Sequence, residues 1–217
     1  MSIPVGAIDC EQGSAEWFAA RCGNVTSCRV ADAIAKLKKK DGEAAVRRNL
    51  RFEIACEMLT GKNSEHYVSR WMEEGKEKEP LARCEYEVRN DVFVEQVGFV
   101  YHPTIKNAGA SPDGVVGEDG MIEIKCPKVE THLEYLISGE IPEDYLPQML
   151  WQLACCDERQ WIDFVSFHPD VPEPYQLFVK RLERTEEVNS VIEGMEAEVK
   201  QFLSEVQLMI SGLKDAA

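Results

Sequence analysis

Apolar side chains recur with helical spacing in two long stretches of the chain. From Glu43 to Leu59, every fourth residue from position 46 is apolar, which predicts an amphipathic helix that ends at Gly61. The stretch from Glu186 to Leu213 has similar spacing and predicts a long C-terminal helix. Ser14 is suited to cap a short first helix, which Gly23 would end.

Four further segments are predicted to be helical. Thr26 and Ser27 are suited to cap a second helix that runs to about Leu37. Residues 65–88 have a helical pattern in which Pro80 must stand at a break or at the start of a new helix. The last two helices are predicted over 128–137 and 144–155.

Strand patterns separate these helices, and a turn-rich bend is expected over 109–114. The predicted strands are 92–101, a β-hairpin of 115–116 and 121–125 with its turn at 117–120, then 161–167 and 175–181. This order of elements predicts one mixed α/β domain over residues 1–217, with a central mixed sheet flanked by helices.

The composition agrees with one globular domain. The chain has 217 residues, of which 44% are hydrophobic and 29% are charged. No apolar run approaches 18 residues, so no membrane association is expected. The segment from Met1 to Cys10 lacks a basic region followed by an apolar one, so we expect no secretion signal and a cytoplasmic location.

The charge does not decide what the protein binds. A net charge of −15 argues against binding nucleic acid, which is itself negative. The charge is uneven, however, because the stretch from Lys36 to Arg51 contains seven basic and two acidic residues, whereas the stretch after Glu183 is strongly acidic. A basic surface on an acidic body is therefore permitted.

Cysteine spacing excludes the common zinc and iron–sulfur sites. The chain has eight cysteines, and none forms a C-x-x-C pair. In a reducing cytoplasm we expect these residues to be mostly small buried apolar side chains.

Candidate chemistry lies on the predicted hairpin. Residues two apart on a strand face the same side, so Glu123 and Lys125 should project together while Ile122 and Ile124 enter the core. The turn folds the preceding strand back, which should bring Asp113 close to Glu123. We therefore expect two carboxylates and a lysine to converge.

This set suits phosphodiester hydrolysis. Carboxylates bind hard divalent cations such as Mg²⁺, and two such ions can stabilise both the attacking and the leaving oxygen. Lys125 can orient the attacking water or, if nearby cations lower its pKa, help to deprotonate it. The alternative is that Glu123 and Lys125 form a solvent-facing pair on a surface strand, since an isolated E-x-K is common by chance.

The residues around this hairpin resemble the PD-(D/E)xK nuclease core, and more specifically the family of phage lambda exonuclease. Four stretches carry the resemblance, in order along the chain: Glu11-Gln-Gly with Trp17 and Arg21-x-Gly23-x-x-Thr26; Gly75-Lys76-x-x-Glu79-x-x-Ala82-Arg83; Ala110-Ser-Pro-Asp-Gly114 through Glu123-x-Lys125-Cys-Pro127; and Tyr145-x-x-Gln148. The resemblance implies a restriction-endonuclease-like core within the α/β class.

The resemblance also implies roles for single residues. Metal would be bound by Asp113, Glu123 and the main-chain carbonyl of Ile124, and Lys125 would position the water. Glu79 and Gln148 would complete the catalytic set. The DNA 5′-phosphate would be bound by Arg21 with the stretch Thr26, Ser27 and Cys28, and Met72 would be the wedge that separates the strands.

Each of these roles has a structural alternative. Glu79 can be a helix-surface carboxylate, Gln148 an ordinary polar residue and Arg21 an ion-pair partner of Glu16. Met72 can simply be apolar packing, since the adjacent Trp71 could equally serve as the wedge. Cys28 stands where the family has a phosphate-binding serine, and a thiol is the weaker hydrogen-bond donor.

The activity implied is a processive 5′→3′ exonuclease on double-stranded DNA with 5′-phosphorylated ends. It would use two Mg²⁺ ions, with Mn²⁺ as a substitute, release mononucleotides and leave a 3′ single strand for recombination. The family also implies a ring-shaped homotrimer and a single-strand annealing protein as partner. An endonuclease on the same core and a catalytically silent DNA-end-binding module are the alternatives.

Overall fold

A computed structural model of the chain describes residues 3–37, 42–64 and 70–215. Helices and strands alternate irregularly, and one 3₁₀ turn, Glu143–Tyr145, precedes α6. The helices are α1 (Ala15–Arg21), α2 (Val30–Ala33), α3 (Ala45–Thr60), α4 (Arg70–Asn90), α5 (Val129–Ser138), α6 (Leu146–Cys155) and α7 (Glu186–Asp215). The strands are β1 (Val25–Thr26), β2 (Val94–Glu95), β3 (Val100–Tyr101), β4 (Ala108–Ala110), β5 (Gly114–Val116), β6 (Gly120–Lys125), β7 (Trp161–Phe167) and β8 (Leu177–Glu183).

The main sheet has five strands in the order β2-β5-β6-β7-β8. Strands β6 and β7 are parallel, whereas the other neighbours are antiparallel, so the sheet is mixed as predicted. A smaller sheet has the order β1-β4-β3. The predicted hairpin is confirmed as β5-β6, in which Gly114 pairs with Ile122 and Val116 with Gly120.

Alternate residues of the hairpin enter two different cores. Met121 and Val115 belong to the larger core, which helices α3, α6 and α7 cover. Ile122 and Ile124 belong to the smaller core, where they lie with Tyr86 of α4. Helices therefore flank both faces of the sheet, which confirms the predicted α/β architecture.

Two helix boundaries are confirmed by their caps. The Ser14 hydroxyl accepts a 3.2 Å hydrogen bond from the N–H of Trp17 and caps α1. Gly61 adopts the left-handed conformation, with φ 66°, after the last turn of α3. The absence of a side chain at Gly61 makes that conformation accessible at little cost.

Two helix predictions were wrong. Thr26 does not cap a helix but pairs with Gly109 in the smaller sheet, so α2 begins only at Val30 and is one turn long. Pro80 does not break α4, which is continuous through it. Pro80 is exposed, so water can reach the carbonyl group that its missing N–H leaves without a helical partner.

Two strand predictions also need correction. Residues 92–101 do not form one strand, because β2 joins the main sheet and β3 joins the smaller one. Part of the predicted bend over 109–114 is strand β4.

The eight cysteines are free, but only Cys155 and Cys156 are buried, so the expectation of mostly buried thiols was wrong. Within the described ranges, no helix is long and apolar enough to cross a lipid bilayer.

Candidate active site

Asp113 lies at the edge where β5 begins, opposite the end of β6. Because Gly114 pairs with Ile122 in the antiparallel hairpin, the preceding residue of β5 comes next to Glu123. The Oδ2 atom of Asp113 accepts a 2.7 Å hydrogen bond from the N–H of Ile124. The structure therefore brings Asp113 and Glu123 together as the sequence predicted.

Glu123 and Lys125 project from the same face of β6. The Lys125 ammonium donates a short hydrogen bond to Oε1 of Glu123 and lies 5.1 Å from the ring centre of Tyr145. The side chain of Glu123 is only 1% exposed, whereas that of Lys125 is 25% exposed. A buried carboxylate is not a surface residue, so the alternative of a solvent-facing pair is wrong.

Helix α6 contributes two glutamines to the same carboxylate. Gln148 Nε2 donates to Glu123 Oε1 and Gln152 Nε2 donates to Glu123 Oε2, each at 2.5 Å. The two glutamines are four residues apart and so share one face of the helix. Gln148 was expected here, but Gln152 was not. The spacing from Gln148 was the signal that could have revealed it.

Burial and neighbouring carboxylates act together on Asp113. Burial, the charge of Glu123 and the charge of Glu79 all raise the pKa of Asp113 well above its ordinary value, against the opposing effect of Lys125. Glu79 of α4 is partly buried and near enough for its charge to matter, so it is part of this acidic cluster. The site thus combines three carboxylates with one ammonium.

Lys125 stays charged in this environment. Burial alone would lower the pKa of Lys125, but the carboxylates of Glu123 and Asp113 outweigh burial and raise it above its ordinary value. The charges of the chain itself therefore favour an ammonium that orients a water or phosphate oxygen, rather than a neutral amine that removes a proton.

The donor set fits a hard divalent cation. Carboxylate and carbonyl oxygens are the ligands that Mg²⁺ and Mn²⁺ prefer. The N–H and C=O of one strand residue point to the same edge, so the hydrogen bond from Ile124 to Asp113 puts the Ile124 carbonyl on the Asp113 side. Among the described residues, no three His, Cys, Asp or Glu side chains form a metal site by themselves, so a cation would need the main-chain oxygen and water as well.

A second polar cluster surrounds Arg21 at the end of α1. Its guanidinium donates to Ser111 Oγ at 3.3 Å and to Cys28 Sγ at 3.2 Å, and it stacks 4.2 Å from the ring centre of Trp17. Thr26 Oγ1 lies 3.2 Å from the same sulfur. The structure therefore brings Arg21, Thr26 and Cys28 together.

The residues of the Thr26–Cys28 stretch differ in their exposure to a ligand. Thr26 and Ser27 are buried, whereas Cys28 is exposed. The exposed thiol is therefore the member of this stretch that a phosphate would meet first, together with Arg21.

Ser111 connects the Arg21 cluster to the acidic cluster. Its hydroxyl accepts a 2.9 Å hydrogen bond from Trp17 Nε1 in addition to the bond from Arg21. Ser111 stands two residues before Asp113 on the same loop. Ser111 belongs to the Ser-Pro-Asp-Gly motif, but no separate role for it was predicted from the sequence.

Most of the remaining predicted basic and apolar residues are either outside the described residues or paired within the chain. Met72 is on α4, but its side chain lies outside the described residues, as does the lysine run 38–40. Arg47 and Arg51 both form ion pairs with Glu43 and Glu205 at 2.7–2.9 Å. These two arginines join α3 to α7 and are largely neutralised within the chain.

The chain resembles known nucleases along most of its length. The YqaJ-like viral recombinase domain family matches residues 16–159. Two crystal structures of LHK-Exo, an alkaline exonuclease from Laribacter hongkongensis, one of them in complex with dAMP, are 42% identical to the chain with a TM-score of 0.83. Each alignment covers 94% of this chain and 97% of the other.

A more distant structure shares the fold alone. A phage-related exonuclease from Haemophilus somnus 129PT is 16% identical, with a TM-score of 0.63 over 88% of this chain and 96% of that one. No curated protein sequence matches the chain. The matched family and the 42% identity to LHK-Exo show that the chain belongs to the YqaJ-like viral recombinase family, of the lambda exonuclease type, and is a deoxyribonuclease of the exonuclease class.

Proposed function

We propose that the protein is a Mg²⁺-dependent, processive 5′→3′ exonuclease on double-stranded DNA with 5′-phosphorylated ends. It releases mononucleotides and leaves a 3′ single strand for recombination by strand annealing. The observation that carries this proposal is the connection through Ser111 of the Arg21 cluster to the carboxylates of Asp113 and Glu123. An end-binding arginine next to a hydrolytic site suits an enzyme that removes terminal nucleotides.

Asp113, Glu123 and the Ile124 carbonyl would hold the metal, with Glu79 adding charge to the cluster. When bound there, two Mg²⁺ ions, or Mn²⁺ in their place, would supply Lewis-acid stabilisation of the attacking and leaving oxygens. The fixed oxygen donors and the excess of carboxylates over ammonium support this assignment.

Lys125 holds the attacking water and offsets charge on the phosphate. Its ammonium is fixed by Glu123 and lies over Tyr145, so its direction is set before substrate binds. Gln148 supports the arrangement from α6 through its bond to Glu123. In the reaction the water oxygen bonds to phosphorus and loses a proton to solvent, while the P–O3′ bond breaks and O3′ takes up a proton, which frees the terminal mononucleotide and leaves a 5′-phosphate on the shortened strand.

Arg21 supports the 5′→3′ direction. An arginine fork matches the geometry of a terminal phosphate, and Cys28 lies against that fork with Thr26 behind it and Ser27 between them in the chain. A 5′-phosphate held there would set the adjoining phosphodiester near Asp113. Met72 would then act as the wedge that parts the two strands. The dAMP in one LHK-Exo structure is consistent with mononucleotide products.

The oligomeric state and the partner protein are proposed from the resemblance to the family. We propose that residues 1–217 form a single exonuclease domain that acts as a ring-shaped homotrimer in the cytoplasm of a bacterial host. The ring would work beside a single-strand annealing protein. A ring that encloses duplex DNA would keep the enzyme on its substrate and make it processive, which an acidic chain cannot achieve through affinity alone.

Digestion of matched linear and closed circular duplexes tests the activity. We expect Mg²⁺-dependent release of acid-soluble nucleotides from the linear DNA only. Degradation of circular DNA would indicate an endonuclease, and binding of ends without release would indicate a silent end-binding module. A label on the 5′-terminal nucleotide should appear first among the products, whereas early release of a 3′ label would overturn the direction.

A further inference from the structure

Gln152 combines complete burial with a bond to the central carboxylate of the site. Its side chain is 0% exposed and lies between Trp151 and Leu153 of α6, which are both in the larger core. Its Nε2 nevertheless reaches Glu123 Oε2 at 2.5 Å. No described residue donates a hydrogen bond to its Oε1 atom.

Packing alone does not account for an amide at this position. A buried polar group destabilises a core unless its hydrogen-bonding capacity is satisfied, and here half of the amide is not satisfied. An apolar side chain of similar length would fill the same volume without that cost. What an apolar side chain would not do is donate to Glu123.

The bonds to Glu123 engage both oxygens of the carboxylate. Oε1 accepts from Lys125 and Gln148, whereas Oε2 accepts from Gln152 only among the described residues. Gln152 is therefore the described donor that holds the second oxygen, and together with the two donors on Oε1 it fixes the rotation of the carboxylate about its last bond. Fixing this rotation sets the direction of the oxygen lone pairs that remain.

We propose that Gln152 is a positioning residue that orients Glu123 for metal binding from the buried side of the site. The inference rests on the proposed metal-dependent function. Groups that hydrogen-bond to a metal ligand commonly change metal affinity by about 10–100-fold when removed. Gln152 acts through Glu123 and does not itself reach the substrate.

Mn²⁺ binding to the full-length protein without DNA, measured by calorimetry, tests this role. Gln152→Met keeps the length of the side chain and removes the amide, and it should weaken Mn²⁺ binding by about 10–100-fold. Gln160→Met is the matched control, since Gln160 is exposed and its amide bonds to the Glu158 carbonyl. The unfolding midpoint in EDTA should change little in either variant.

A second variant keeps the proposal testable if Gln152→Met does not fold. Gln152→Asn keeps an amide but shortens the side chain by one methylene, so it should also lose the bond and weaken Mn²⁺ binding. If either folded variant bound Mn²⁺ within twofold of wild type while Asp113→Asn lost binding, the role of Gln152 would be overturned and the metal site would stand. If wild type itself bound no Mn²⁺, both proposals would fail.

Discussion

The N–H of Ile124 donates to the Asp113 carboxylate across the β5-β6 hairpin, at 2.7 Å. This bond replaces the next rung of the ladder after the Gly114–Ile122 pair, so a side chain occupies the place of a strand backbone. Because the N–H and C=O of one strand residue point to the same edge, the Ile124 carbonyl lies on the Asp113 side as well. The end of the hairpin therefore presents the Asp113 carboxylate and the Ile124 carbonyl as oxygen donors on the same edge.

Removal of charge from the hairpin should abolish nuclease activity without unfolding the protein. Asp113→Asn, Glu123→Gln and Lys125→Ala each remove a charge that no neighbour on the hairpin replaces. We expect each to retain less than about a tenth of the wild-type rate, which corresponds to roughly 1.4 kcal/mol of barrier. Digestion of linear duplex with Mg²⁺, with circular dichroism as the control for folding, measures this. A folded Lys125→Ala enzyme above that level would remove the lysine from the mechanism.

Arg21→Ala should selectively slow digestion of 5′-phosphorylated ends. The guanidinium is held by Ser111 and Cys28, which fixes its fork before a phosphate arrives. We expect the ratio of initial rates on phosphorylated and hydroxyl ends to shrink towards one. An unchanged ratio would show that Arg21 only supports the fold.

Cys28→Ser is the companion substitution at the same site. A hydroxyl is a stronger donor than a thiol, and Cys28 is the exposed member of the stretch. The preference for phosphorylated ends should therefore increase in this variant. A constant or reduced preference would indicate that Thr26 or Ser27 already provides the donor.

The hairpin was predictable because its signals are local. Apolar and charged residues alternate over 122–125, and a turn is predicted at 117–120; together they fix which side chains share a face, so the pairing of Glu123 with Lys125 followed from the sequence. Residues 92–101 were not predictable in the same way. Gly98 lies so close to the carbonyls of Ile8 and Cys10 that a Cβ would approach them to 2.5–2.6 Å. This contact with residues far away in the sequence lies where the chain passes from the main sheet to the smaller sheet.

Gln152 shows a second limit of sequence reasoning. Residues 146–155 have the pattern of a buried apolar helix, in which the two glutamines, Gln148 and Gln152, are the polar exceptions. The purpose of Gln152 depends on a carboxylate 29 residues earlier in the chain, which only the fold brings within 2.5 Å. The resemblance to the family indicated Gln148, and only the four-residue spacing from Gln148 pointed to the residue one turn later.

Glu57→Gln should destabilise the protein at neutral pH by about 2 kcal/mol. The buried carboxylate accepts from the Gly23 N–H at 2.8 Å and from Arg29 at 3.1 Å. Burial alone would raise the pKa of Glu57, but the bonds from Arg29 and Gly23 outweigh it and lower the pKa. A lowered folded-state pKa stabilises the protein above the unfolded value, and this contribution is lost as pH falls through the folded value.

Urea unfolding of wild type and variant at several pH values measures this effect. The difference in unfolding free energy should be full at pH 7 and should shrink below about pH 4.3, the ordinary glutamate pKa. Glu53→Gln is the matched control, since Glu53 pairs with the same Arg29 but is 28% exposed. We expect it to cost less than about 1 kcal/mol. A Glu57 difference that stayed constant into acid would contradict the electrostatic origin.

The acidic charge of the chain predicts where its DNA contacts must lie. If the subunits form a ring, basic residues should face inward and acidic residues outward, where they repel duplex DNA. The candidates from the sequence were Arg21, Lys36, Lys38–Lys40, Arg47, Arg48 and Arg51. Arg47 and Arg51 bind Glu205, and Lys36 binds Glu198 at 2.7 Å, so these three contribute less positive field than their number indicates. We therefore expect Arg21, Arg48 and the lysine run 38–40 to matter most.

Reversal of the lysine run to Glu should reduce DNA-end binding and processivity more than the rate of single-nucleotide release. Wild-type end binding should weaken steeply with salt despite the net charge of −15, because each phosphate contact releases counterions. Arg47→Glu is a poor probe, since it breaks the pairing of α3 with α7; Arg48→Glu, on the same helix, is the better comparison. Sedimentation should meanwhile report three chains per particle. A monomer at micromolar concentration that still digests long duplexes without dissociating would exclude the ring, because enclosure of the DNA could then not be the source of the processivity.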